Sequence, residues 1–106
     1  MNPENKDKII SLRHLLHANP ELSMQETNTR HFLINFLKKF TRLEIREYGH
    51  WFCALYHAPV PGAPMIAFRA DMDALPIPEG DAVPKDHASL HPGVSHKCGH
   101  DGHCAA

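Results

Sequence analysis

The densest run of potential chemistry in this sequence is Ser95-His96-Lys97-Cys98-Gly99-His100-Asp101-Gly102-His103. Cysteine thiolate and neutral imidazole are the preferred protein ligands of zinc, and they also suit other late first-row divalent ions. Cys98 and His100 are one residue apart and can face a single ion if Gly99 lets the backbone turn sharply. Asp101 and His103 could orient the ligating rings as supporting groups or serve as further ligands. Each also has an ordinary reading. An aspartate early in a helix is favourable without any metal, and His103 could sit on a solvated helix face.

A second cluster is Asp71-Met72-Asp73. In extended backbone, residues two apart face the same side, so both carboxylates could enter one space. There they could bind a hard cation, hydrogen-bond to a metal-bound imidazole or tune a proton-transfer group. The plainer alternative is a polar strand end in water, with Arg69 neutralising the aspartates. Self-contained zinc modules show two ligand pairs, which this chain lacks. It also has no Gly-x-Ser-x-Gly elbow and no glycine-rich phosphate cradle. His14, His17, His31, His50 and His57 are assigned surface or packing roles.

The elements that must carry these residues follow from hydrophobic spacing. Ile9, Leu12 and Leu16, with Leu15 beside them, predict a helix over residues 5–18 that stops at Asn19-Pro20. Phe32, Leu33, Phe36, Leu37 and Phe40 predict a second helix over residues 24–40, with Ser23 and Glu26 at capping-box spacing. The period then changes to alternation around Leu43 and Ile45. Gly49-His50 suggests a turn, and residues 51–57 read as a second strand, so the two strands could form a hairpin. Met65-Ile66-Ala67-Phe68 reads as a buried strand, which would deliver Asp71 and Asp73 to its C-terminal end, where open α/β sheets place ligands. Residues 76–95 hold four prolines and two glycines without periodicity. A loop that long is more often functional than incidental.

The chain has 106 residues, 11 Lys+Arg and 12 Asp+Glu, for a net charge of -1. Without a basic cluster, nucleic acid and anionic membrane surfaces are not expected partners. Hydrophobic residues at 42% and charged residues at 22% fit a globular chain of one domain's length. No apolar run approaches the roughly 20 residues of a membrane span, and the polar N-terminus is not that of a signal peptide. A soluble, cytoplasmic protein with reduced thiols is expected, and Cys53, inside the apolar run of residues 51–56, is read as a buried structural thiol. Five of the ten histidines lie in the last twenty residues.

The sequence resembles the N-terminal part of the M20 metallopeptidase-like amidohydrolases, the branch of hippurate hydrolases, N-acyl-amino-acid amidohydrolases and auxin-conjugate hydrolases. Three blocks carry the resemblance: Pro20-Glu21-Leu22-Ser23 with Glu26-Thr27, Phe68 to Ile77 around Asp71-Met72-Asp73, and Pro92-Gly93-Val94 leading through His96 to Cys98-Gly99-His100-Asp101-Gly102-His103. The resemblance implies an α/β, zinc-peptidase-like catalytic domain, of which residues 1–106 form the N-terminal portion: two helices, then a mixed sheet. It implies Cys98 and His100 as metal ligands, Asp71 and Asp73 as supporting residues at the site's edge, and a divalent zinc, manganese, cobalt or nickel ion. The implied activity is metal-dependent hydrolysis of N-acyl amino acids by full-length, homo-oligomeric relatives. Ser95, Lys97 and Cys104 depart from the small or apolar residues usual there. Family members also continue into a glutamate pair that supplies the general base, further histidine ligands and a lid domain used in dimerisation. This chain contains no Glu-Glu pair. The expectation is therefore a truncated amidohydrolase that is inactive alone. The alternative is a small non-catalytic metal-binding protein using Cys98, His100, His103 and Cys104.

Overall fold

A computed structural model describes all 106 residues. Helix α1 spans Pro3–Ala18, two residues earlier than hydrophobic spacing alone suggested. The reason is local: the Asn2 side chain accepts from the Glu4 N–H at 2.9 Å, and Pro3 occupies the first turn, where its missing N–H costs nothing. Asn19 ends the helix by donating its N–H to the Leu16 carbonyl.

Helix α2 spans Thr27–Phe40. The expected capping box does not form, and Glu26 sits at the N-cap with no side-chain hydrogen bond. Glu21 caps the helix from outside it: its carboxylate accepts from the Thr29 N–H at 2.5 Å, the Thr29 hydroxyl at 2.7 Å and the Asn28 N–H at 3.3 Å. A carboxylate reaching in from the preceding segment satisfies orphan N–H groups and faces the positive end of the helix dipole, so Ser23 is not needed. Of the expected apolar stripe, Leu33 is buried and Phe40 is exposed, while Ile34, outside the stripe, is buried.

Strands β1 (Glu44–Tyr48) and β2 (Trp51–Leu55) form the hairpin, with Glu44 opposite Leu55 and Tyr48 opposite Trp51. Gly49 takes φ +71° at the first of two loop positions, a conformation that glycine adopts without strain. Tyr48 and Trp51 stack across the turn at 4.3 Å. Cys53 is half-buried rather than enclosed.

The buried strand expected at Met65–Phe68 does not form. Met65, Ile66 and Phe68 are 91, 76 and 97% exposed, and the segment pairs with no strand. A strand needs neighbours for its N–H and C=O groups, and the only named sheet here is the two-stranded hairpin, which lies elsewhere. Sheet-like pairing reappears beyond Arg69 as single bridges: Leu22 with Ala74 in parallel and Leu75 with Ser95 antiparallel. These bridges close the long loop at its base, and Leu90 N–H to Ala18 C=O ties its far side to the end of α1.

Helix α3 (His100–Ala105) packs on α1. Leu12, Leu16, Leu33 and Ala105 form the core, with Ile9, Phe36, Phe52, Met72 and Cys104 against it. Only 12 of 106 residues are buried, and the radius of gyration is 15.1 Å, against about 13 Å for a compact chain of this length. The core is therefore small and is built where α1, α2 and α3 meet.

Candidate metal centre

Gly99 precedes α3 with φ +81°, so the sharp turn required between Cys98 and His100 is present. Cys98 is exposed and its thiol has no hydrogen-bond partner. The His100 Nδ1 faces two oxygens of Asp73, the backbone carbonyl at 2.8 Å and Oδ1 at 3.1 Å. Both are acceptors, so Nδ1 carries the hydrogen and the Nε2 lone pair is left for another partner. This is the arrangement in which a carboxylate fixes the tautomer and orientation of a ligating imidazole. The donor set, one thiol and one imidazole with its tautomer already fixed, fits a late first-row divalent ion.

The two aspartates separate. Asp73 faces His100, whereas the Asp71 carboxylate is held by Arg69, whose Nε and Nη2 donate to Oδ1 at 3.1 and 3.0 Å. Asp71 contributes on the site's side only through its backbone carbonyl, which accepts from the Cys104 thiol at 3.1 Å.

Asp101 points into the protein, where it is 2% exposed. Its Oδ2 meets His17 Nδ1 at 2.8 Å and Arg13 Nε at 3.3 Å. Burial pushes its carboxyl up, but hydrogen bonds from His17 and the Gly102 N–H, with nearby positive charge, outweigh that and hold it below the ordinary aspartate value. The other nitrogen of His17, Nε2, lies 3.0 Å from Glu79 Oε2. Glu79 in turn accepts from Lys97 Nζ and the Ser89 N–H, both at 2.9 Å, and those contacts with His17 overcome burial to keep it below the usual glutamate value. One buried imidazole thus staples α1 to the long loop and to the start of α3. Sequence reasoning assigned His17 no more than a surface or packing role.

His103 is exposed, with its ring 6.0 Å from that of His100. Burial, reinforced by Asp101 and Asp71, pushes the Cys104 thiol up to about 11. His96 is the residue the sequence reading passed over. It is 6% exposed, neither ring nitrogen has a hydrogen-bond partner, and burial drives its pKa down against the attraction of Asp101. The alternation His96, Cys98, His100 was the available signal. No third His, Cys, Asp or Glu donor joins Cys98 and His100 in a cluster closed to within 4.8 Å. A hollow of about 420 Å³ bounded by Glu79, Asp81, Lys85 and Ser89 lies in the long loop, not at His100.

No protein-family model matches the chain. Among curated proteins it is 46% identical over 103 residues to an N-acyl-L-amino acid amidohydrolase of Geobacillus stearothermophilus, covering 96% of this chain and 27% of that protein. It is 40% identical over 100 residues to an N-acetyldiaminopimelate deacetylase of Bacillus velezensis, covering 92% of this chain and 26% of the relative. A solved Bacillus subtilis structure, a dinuclear metal binding peptidase from the M20 family, superposes with a TM-score of 0.88 at 36% identity, over 99% of this chain and 29% of that one. The chain spans about a quarter of the length of the curated relatives it matches. No helix is long and apolar enough to cross a membrane.

Proposed function

We propose that this chain, a homologue of the M20-type amidohydrolases over about a quarter of their length, carries the Cys98–His100 part of a divalent-metal centre that hydrolyses the amide bond of N-acyl amino acids when the remaining ligands and a general base are supplied. The observation that carries this reading is His100, whose Nδ1 is engaged by Asp73 while Nε2 stays free, one glycine turn from the exposed Cys98 thiol.

A bound divalent ion would supply Lewis-acid polarisation of the scissile carbonyl and activation of a water. The chain's own residues do the rest of what is local. Cys98 would ligate as thiolate and His100 as neutral imidazole, so binding weakens as acid protonates both. Asp73 orients the His100 ring. Asp101 does not reach toward the ligands; it anchors the first turn of α3 to His17 and Arg13, which holds His100 in place. Zinc, manganese, cobalt and nickel all suit this reading. A cytoplasmic, homo-oligomeric whole protein goes with it on the strength of the family resemblance. The four-ligand alternative is weakened by Cys104, whose thiol donates to the Asp71 carbonyl at 3.1 Å.

The test is a chimera joining residues 1–106 to the remaining three quarters of the Geobacillus relative, assayed on N-acetyl and N-benzoyl amino acids. Metal-dependent turnover that falls at least a hundredfold in Cys98→Ala and in His100→Ala is expected. Turnover indifferent to both substitutions would refute the assignment.

A further inference from the structure

We infer that His14, Asp86 and His87 form a second divalent-cation site, separate from Cys98 and His100, that clamps the long loop to helix α1. These are the only three donors of metal-ligating type that close to within 4.8 Å of one another in the chain. They come from distant parts of the sequence, His14 from α1 and the other two from the loop. His87 is well packed, its side chain 12% exposed, while the Asp86 carboxylate reaches solvent at 74%. A turn in which the Ala88 N–H bonds the Pro84 carbonyl at 3.0 Å holds both in place.

The spacing suits coordination. His87 Nδ1 and Asp86 Oδ1 are 2.8 Å apart, a hydrogen-bond separation, and neighbouring ligands each about 2.0–2.1 Å from a tetrahedral ion stand roughly 3.3–3.4 Å apart, so the pair opens by about half an ångström to admit one. A cation can therefore take the place of the proton those two atoms share. The His14 and His87 rings are stacked at 4.0 Å with planes 5° apart, so their lone pairs run side by side. Parallel lone pairs do not meet at one point, so an ion would be held by both rings only with the His14 ring turned out of the stack. His17, edge-on to His87 at 5.7 Å, takes no part because both its nitrogens already face Asp101 and Glu79. Two imidazoles and a carboxylate, with the remaining positions open to water, select a late first-row divalent ion such as zinc. The role of such an ion here is structural: binding to the folded state alone raises its stability.

The experiment uses the untagged 106-residue chain carrying Cys98→Ala, which removes the thiolate of the other centre from an exposed position. Zinc is titrated calorimetrically and the thermal midpoint is followed with and without zinc. One zinc per chain and a raised midpoint are expected, with affinity weakened at least tenfold by His14→Gln and by Asp86→Asn, and the midpoint shift lost. Asp86 is exposed and His14 is partly buried, and far-UV circular dichroism confirms that each variant keeps its helices before titration. Absence of zinc binding in the Cys98→Ala chain, or binding unchanged by either loop or helix substitution, overturns the proposal. The outcome is independent of the chimera assay, because Cys98 is absent throughout.

Discussion

At the scale of single residues, two histidines four positions apart have opposite fates. His100 sits at the edge of the core with one nitrogen fixed and one free, while His96 is enclosed with neither nitrogen satisfied. Removing the Asp73 carboxylate leaves its backbone carbonyl still accepting from His100, so Asp73→Ala should weaken metal binding by about tenfold, the lower end of the range for such supporting groups. Zinc competition against a chromophoric chelator measures this, and an unchanged affinity would remove Asp73 from the centre. His96 makes a different prediction. A buried polar group without partners costs free energy that an apolar side chain of similar shape does not. His96→Leu should therefore leave stability unchanged or raise it by up to about 1 kcal/mol. Thermal melts decide, and a clear loss would mean that His96 has a polar partner after all.

At the scale of elements, Glu21 and His17 do work that spacing could not assign to them. Glu21→Ala should cost about 1 kcal/mol by uncapping α2, whereas Ser23→Ala should cost almost nothing; urea melts of the two variants test the pair. The staple around His17 governs acid stability. Glu79 and Asp101 are held below their ordinary values, so the stability they contribute is present above the usual carboxylate range and is lost as pH falls through their folded values. His96 is also depressed, from an ordinary 6.5, so acid protonates the unfolded chain before the folded one. All three act in the same direction, His96 below about pH 6.5 and the two carboxylates only below their ordinary values of 4.5 and 3.8, so the thermal midpoint should fall from pH 6.5 downward and more steeply below pH 4.5; a flat profile would contradict the assignment. Both helices and the hairpin were legible because their apolar residues repeat at 3.6 or alternate beside Gly49. The staple was not, since it joins residues 62 and 84 positions apart, and no local pattern records such contacts. The Met65–Phe68 strand was misread for the same reason: its composition suits a buried strand, but burial depends on neighbours that these 106 residues do not place beside it.

At the scale of the whole molecule, the core is small, the Met65–Phe68 segment is open to solvent, and the candidate ligand His100 opens the helix α3 that packs against α1. No third donor closes on Cys98 and His100, so at that centre the chain alone should hold a divalent ion weakly and turn over no N-acyl amino acid. The most direct test of the central claim is a cobalt titration, followed by absorbance, of the 106-residue chain carrying His14→Gln, which removes a ligand of the second site. A thiolate-to-cobalt charge-transfer band in the near ultraviolet, abolished by Cys98→Ala and strongly weakened by His100→Ala, is the predicted result. Cobalt binding without that band, or a band indifferent to His100→Ala, would show that these two residues do not share an ion.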